Sequence, residues 1–225
     1  MGKNIVLDID ATLVNTHGDD GEFLNLKFIT EPKMLKYRKR IYSMNLSDVT
    51  TEPGDGEELK LYGVYRPYLK EFLDFCFDYF DNVIIWSAGK KKYVEKMCEL
   101  MFVDAKKQPL VIYNWNNTTI DGDRITKPLK KLYNDPRTKG EMNEKNTFVV
   151  DDRDDTYYLN KNNGILIPEY EAALSYGGLK MQDDNLLKLM AWFSLDEVSE
   201  SEDVRELEKD KIFTTSVKDY EKMVN

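Results

Sequence analysis

Long apolar runs are missing from this chain: the longest fall far short of the roughly 20 residues that a membrane-crossing helix needs, and no charged-then-apolar leader opens it. These absences predict an intracellular protein, cytoplasmic or nuclear, with no membrane partner. Cysteine is scarce as well. Cys76 and Cys98 are the only two, and both fall in apolar helical patterns, where a small buried thiol is expected rather than a disulfide, a metal ligand or a redox centre. The single histidine, His17, lies beside Gly18-Asp-Asp-Gly21, a loop position that accounts for it without catalysis. That acidic turn lacks the twelve-residue spacing of a calcium-binding loop and reads as a solvated turn. An excess of basic residues is missing too: Lys and Arg number 32 against 41 Asp and Glu, a formal net charge of -9. Binding to a phosphate backbone draws its affinity from clustered cations, so direct nucleic-acid binding is not expected. No internal repeat is visible.

What the chain does have is an apolar strand that delivers acids. Its 225 residues, 41% hydrophobic and 32% charged, suffice for one sizeable α/β core with additions. The start, Asn4-Ile-Val-Leu-Asp8-Ile-Asp10-Ala-Thr12-Leu-Val14, reads as a buried parallel strand, and in open α/β sheets chemistry collects beyond the carboxyl ends of such strands. Alternation sends Asp8 and Asp10 to one side while Ile9 enters the core. Two carboxylates in one small volume require a neutralising cation or a retained proton. Magnesium is the natural cation, because it takes hard oxygens from one or two carboxylates and completes its shell with water and phosphate. Taken alone, Asp-x-Asp-x-Thr also fits a strand followed by an acidic turn. Further matches follow it: Val83-Ile-Ile-Trp-Ser87-Ala-Gly89, a strand ending in a hydroxyl and a glycine suited to a phosphoryl oxygen; Thr126-Lys127-Pro-Leu-Lys130-Lys131; and Thr147-Phe-Val-Val-Asp151-Asp152-Arg153-Asp154-Asp155, another strand ending in acids.

Between these motifs the spacing predicts two strands, Arg40 to Leu46 and Leu59 to Tyr65, turned by Pro53-Gly-Asp-Gly56 into an antiparallel pair beside the main sheet. It predicts helices over residues 66–80, 90–102 and 185–193, and a short strand from Leu110 to Tyr113. Lys36-Tyr-Arg38-Lys39-Arg40 reads as a charged edge on a strand or as a nuclear-import signal. Lys90-Lys91-Lys92 either rims the crevice or is an ordinary solvated helix start. The stretch from Phe23 to Met34 reads as a core flap or a partner surface. Residues 196–225 form an acidic extension, of which Ser199 to Asp210 is expected as a loose helix or mobile segment.

In this order the motifs resemble those of the haloacid dehalogenase superfamily, specifically its branch of FCP- and SCP-like (NLI-interacting-factor-like) phosphatases that act on phosphoserine in RNA polymerase II tails. The first motif of that branch is similar to Asp8-Ile-Asp10-Ala-Thr12-Leu-Val-Asn15, the helix start before its second motif to Arg66-Pro-Tyr-Leu-Lys-Glu-Phe-Leu73, and its acidic fourth motif to Asp151 through Asp155. The resemblance spans roughly residues 3 to 170. It implies an α/β fold: a Rossmann-like central parallel sheet flanked by helices, with a small β insertion (about 36–65), no large cap, and a candidate small cap near 104–123. The catalytic domain would occupy residues 1–195. It also implies roles. Asp8 would be the nucleophile, forming an aspartyl-phosphate, and Asp10 the general acid and base, its backbone carbonyl also reaching the metal. Ser87 would donate to a phosphoryl oxygen, and Lys127 would neutralise charge on nucleophile and phosphate. Asp8, Asp10 and Asp152 would hold Mg2+, with Asp151 and Thr12 in support; which of Asp151 and Asp152 binds directly stays open.

One departure bears on the substrate. The family's smaller members carry an apolar residue three positions after the second-motif hydroxyl and a tyrosine six after it, forming a pocket for substrate proline. This chain keeps Tyr93 but has Lys90, which suits a second phosphate or an acidic residue of the substrate. Three classes therefore stand: a magnesium-dependent phosphatase of phosphoserine or phosphothreonine proteins, with the RNA polymerase II tail as one candidate partner; a phosphatase of small molecules or nucleic-acid ends; and a non-catalytic phosphoprotein-binding protein.

Overall fold

In the computed structural model the described residues are 2–18, 31–47, 58–138, 140–173 and 175–224. The Gly18 to Gly21 turn after its first residue, the stretch from Phe23 up to residue 30, and the Pro53 to Gly56 turn lie outside them. In chain order the strands are β1 (Asn4–Leu7), β2 (Val14–His17), β3 (Ile41–Ser47), β4 (Glu58–Tyr65), β5 (Asn82–Trp86), β6 (Val111–Tyr113), β7 (Thr119–Asp121), β8 (Arg124–Thr126), β9 (Thr147–Asp151) and β10 (Gly164–Leu166). The helices are α1 (Leu69–Tyr79), α2 (Lys91–Met101), α3 (Lys130–Tyr133), α4 (Tyr176–Lys180), α5 (Asn185–Phe193), α6 (Asp196–Ser199) and α7 (Val217–Val224).

β1 is buried along its whole length because it is the middle strand of a five-stranded sheet ordered β10-β9-β1-β5-β6. Every pairing in that sheet is parallel, and strands covered on both faces are the reason these segments read as continuous Ile, Val and Leu. Alternation splits their side chains between two layers. Ile5, Leu7, Ile85, Phe148 and Val150 pack with α1, α2 and α5, whereas Val6, Ile84, Trp86 and Val149 pack with Leu129, Leu132 and Tyr157 on the other face. The flanking helices follow the spacing of their apolar residues: Leu69, Phe72, Leu73 and Cys76 form the buried face of α1, and Val94, Met97 and Cys98 that of α2. Both cysteines are buried free thiols. No helix among the described residues is long and apolar enough to cross a membrane.

Beside the main sheet, β3 and β4 pair antiparallel, with Met44 opposite Leu61, and β2 joins on the far side of β4. β3 rests against α2, where Lys92 Nζ donates to Ser47 O at 2.9 Å. The basic run Lys36 to Arg40 does not lie on this sheet. It is the end of a 3-10 helix, Pro32–Arg40: Pro32 sets a helical first turn, only Met34 of the segment is buried, and alternate burial begins at Tyr42. Within residues 104–123, β6 is an edge strand of the main sheet, and Trp115–Asn117 leads into the β7–β8 hairpin.

The segment after residue 195 is neither loose nor separate. Val198, Val204, Ile212 and Tyr220 are buried in the same cluster as α5, and the backbone is tied down by Val204 N to Lys145 O at 2.8 Å and Tyr220 OH to Ile212 O at 3.1 Å. These apolar residues are too widely and irregularly spaced to register as one amphipathic helix: Val198 enters the core from α6, Tyr220 from α7, and Val204 and Ile212 from separate turns. At the centre of this layer, the rings of Phe75, Tyr79, Phe80, Phe148 and Trp192 surround Phe193 with centroids 5.0–6.4 Å away. Phe193→Ala is expected to cost about 3–5 kcal/mol, read as a lower urea midpoint with an unchanged slope.

Candidate active site

The carboxyl ends of β1, β5 and β9 lie side by side, and each is followed or ended by a polar residue: Asp8 after β1, Ser87 after β5, Asp151 at the end of β9 with Asp152 next. Beyond Asp8 the chain turns sharply, with Leu13 N and Val14 N both donating to Ile9 O at 2.8 and 3.1 Å, and Ala11 in the left-handed region at φ 56°. This turn carries Thr12 across to the fourth motif. Thr12 Oγ1 donates to Asp152 Oδ1 and accepts from Asp152 N, both at 3.1 Å.

Lys127 enters the cluster from the end of the β7–β8 hairpin, fixed by Lys127 N to Thr156 O at 2.6 Å. Its ammonium is buried between two acids, donating to Asp8 Oδ1 and to Asp151 Oδ2 at 2.6 Å. Asp151 also accepts from Thr156 Oγ1 at 2.8 Å and from Arg153 N at 3.0 Å. Of the neighbouring lysines, Lys131 Nζ turns to the carbonyls of Asn117 and Thr118, and Lys130 is exposed. A second buried cation supports the turn from below: Arg66 donates to Thr12 O at 2.9 Å, to Pro168 O at 2.7 Å and with two nitrogens to Asp183 at 2.8–3.0 Å.

Asp8, Asp151 and Asp152 each offer a carboxylate oxygen, all within 4.8 Å of one another. Three hard oxygen donors facing a single ammonium leave an excess of negative charge, which is the donor chemistry of a magnesium-type cation. Both adjacent acids thus belong to the cluster. The Asp10 carboxylate does not: it turns away to accept from Thr16 Oγ1 at 3.2 Å and from Tyr93 OH. Ser87 is buried, its Oγ accepting from Gly89 N at 2.9 Å, while Lys90 is exposed on the rim just before α2. Tyr93, expected in a substrate pocket, has its hydroxyl on Asp10. Sequence reasoning missed Thr16, Tyr42 and Thr156; Tyr42 sits in an ordinary alternating strand and Thr16 in a four-residue strand without alternation, and only their pairing brings them to the site.

Burial governs the electrostatics. It pushes the Asp8 carboxyl well above the ordinary range, with Lys127 pulling back. It also raises Asp10, against the hydrogen bonds from Tyr93 and Thr16, and Asp152, with the Asp151 charge adding to it. Burial disfavours the Lys127 ammonium, but Asp151 and Asp8 outweigh that and hold it charged. Lys127→Met should therefore cost about 3–5 kcal/mol in chelator near neutral pH, since it leaves buried acids unpaired. Without the ammonium the folded-state pKa of Asp8 rises further above its unfolded value, so the folded form binds the extra proton and stability falls as pH rises. Urea unfolding of the variant should show a smaller deficit at about pH 5 than at about pH 8, with partial recovery in magnesium.

Comparison with known proteins bears on this arrangement. Residues 3–205 match the NLI interacting factor-like phosphatases. A CTD phosphatase-like protein of Invertebrate iridescent virus 6 is 29% identical over 160 residues, 67% of this chain and 76% of that one. The ubiquitin-like domain-containing CTD phosphatase 1 of Xenopus tropicalis is 30% identical over 151 residues, 63% of this chain and 44% of that one. Among solved structures, a fission yeast RNA polymerase II CTD phosphatase bound to beryllium fluoride superposes over 84% of this chain and 48% of that one, with a TM-score of 0.59 at 19% identity, a likeness of fold. The chain thus spans less than half the length of the frog and yeast proteins. With the match running across both sheets and every motif around the buried lysine, the chain belongs to the NLI interacting factor-like phosphatase family.

Proposed function

We propose that this chain is a magnesium-dependent phosphatase of phosphoserine and phosphothreonine residues in proteins, working through an aspartyl-phosphate on Asp8. The observation that carries the reading is the buried Lys127 ammonium shared by Asp8 and Asp151, with the Asp152 carboxylate alongside. Asp8, Asp152 and the backbone carbonyl of Asp10, supported by Asp151 and Thr12, would hold Mg2+. When bound, it would supply charge neutralisation for the phosphoryl group, worth several kcal/mol in the transition state.

The protein's own groups then do the following. One Asp8 carboxylate oxygen bonds to phosphorus as the bond from phosphorus to the seryl oxygen breaks. Asp10 gives its proton to that leaving oxygen, then takes one from the water that attacks phosphorus and frees phosphate and Asp8; such positioned proton transfer contributes about 10² to 10⁴ in rate. Burial, by raising Asp10, favours the protonated form the first step needs. Lys127 orients Asp8 and offsets charge on the transferring group. Because Ser87 Oγ accepts from Gly89 N, its own hydrogen is available to a phosphoryl oxygen. The names of the relatives support a phosphorylated tail of RNA polymerase II as substrate, and Lys90 supports an acidic residue or second phosphate near the scissile one.

Hydrolysis of an aryl phosphate by the purified chain tests the mechanism. Turnover should require magnesium, stop in chelator, and drop by about 10³-fold or more in Asp8→Asn, the scale of losing an essential member of a catalytic unit; a fully active variant would sink the aspartyl-phosphate. A phosphopeptide panel tests the substrate. Ser-Pro tail peptides cleaved no better than others would remove the tail assignment. For peptides with a flanking acid or second phosphate, Lys90→Ala should raise KM about two- to fivefold, an effect that fades with added salt, as an exposed charge pair requires.

A further inference from the structure

The small sheet brings three hydroxyls to Asp10. Thr16 of β2, Gly63 of β4 and Tyr42 of β3 occupy one row across that sheet. A side chain at Gly63 would collide with the Tyr42 ring and hydroxyl, 2.2 Å from the added carbon, and with Asn15 O at 2.6 Å. The missing side chain lets Tyr42 lie across the strand between them and reach Thr16, with its hydroxyl 2.6 Å from Thr16 Oγ1. Thr16 Oγ1 is also 2.7 Å from Tyr93 OH, on α2. Both Thr16 and Tyr93 donate to the same carboxylate oxygen, Asp10 Oδ1.

The hydroxyl hydrogens of Thr16 and Tyr93 go to Asp10 Oδ1 and that of Tyr42 to Thr16 Oγ1, which leaves the Thr16–Tyr93 contact without a hydrogen of its own. With both in-plane lone pairs of Oδ1 taken by these two hydrogens, the open position for the acidic proton is on Oδ2. Among the described residues, Asp10 Oδ2 takes no hydrogen bond, and Asp10 keeps partial exposure to the crevice. We propose that Thr16 and Tyr93, with Tyr42 bracing Thr16, are positioning residues that lock Asp10 Oδ1 as an acceptor and present Oδ2 as the oxygen that exchanges the proton with the leaving group. This rests on Asp10 being the general acid. It moves Tyr93 from the wall of a substrate pocket to the support of the acid, and gives the small sheet a role in catalysis.

The test uses the full chain with magnesium and a graded series of small aryl and alkyl phosphates, without any peptide, so that pocket contacts drop out. kcat/KM reports the first phosphoryl transfer, in which a basic alkoxide leaving group needs the proton and a nitrophenolate does not. Wild type, Tyr93→Phe, Thr16→Val, Thr16→Ser and Asp10→Asn are compared by the slope of log kcat/KM against leaving-group pKa. Tyr93→Phe and Thr16→Val should steepen the slope, the deficit growing from about threefold at nitrophenyl phosphate to about 10²-fold at an alkyl phosphate, while Thr16→Ser, which keeps the hydroxyl, follows wild type. Asp10→Asn steepening the slope with Tyr93→Phe and Thr16→Val both parallel to wild type would overturn the positioning role and leave the acid assignment standing. A wild-type slope in Asp10→Asn would overturn both.

Discussion

Burying a lysine ammonium against two carboxylates is tolerable only while all three stay in contact, and Lys127, Asp8 and Asp151 come from segments far apart in the chain. Removing water from these charges costs several kcal/mol per ion, which mutual attraction offsets only with close geometry and extra hydrogen bonds. Those bonds are present: Thr156 and Arg153 N complete Asp151, and Thr156 O holds the Lys127 backbone. The carboxyl ends of β1 and β9 and the end of the β7–β8 hairpin are therefore constrained together by electrostatics as well as by packing. The same constraint fixes what the crevice can accept, because the remaining acid, Asp152, is pinned by Thr12 rather than by a second cation.

Arg66 has the complementary role, a layer further from the crevice. Its guanidinium is buried, spent on two carbonyls and Asp183, and lies over the Tyr170 ring. By gripping Thr12 O it holds the turn on which Asp10 and Thr12 diverge, the former toward the small sheet and the latter toward Asp152. An arginine suits this position because its planar fork can bind a carboxylate with two nitrogens and still reach neighbouring carbonyls, which a lysine cannot do.

The chemistry-bearing ends of the main sheet were legible because each motif follows an apolar run, so Asp8, Ser87 and Asp151 could be located at strand ends before any geometry was known. α1, α2, α5 and the β3–β4 pair were likewise legible from the spacing of Phe72, Val94, Leu189 and Met44. What periodicity could not carry was contact across elements. Nothing local marks Tyr42 or Thr16; their meeting depends on register through Gly63, a residue whose use is visible only beside its neighbours. The 3-10 helix ending at Arg40 was hidden because charge alone does not separate an exposed strand edge from an exposed helix, and the packing of Val204 and Ile212 because isolated apolar residues have no period.

The position of β1 in the sheet has a bearing on how the chain comes off the ribosome. Of the described strands the first to be made, β1, is the central one, yet one of its two partners, β9, is made only after β2 to β8, and the helical layer over its face is closed by α5 and by Val204, Ile212 and Tyr220, which follow β9. Pairings of such long separation close late. The nascent chain must therefore carry an uncovered apolar sheet face until those later residues emerge, a liability that falls on chaperones and on translation rate.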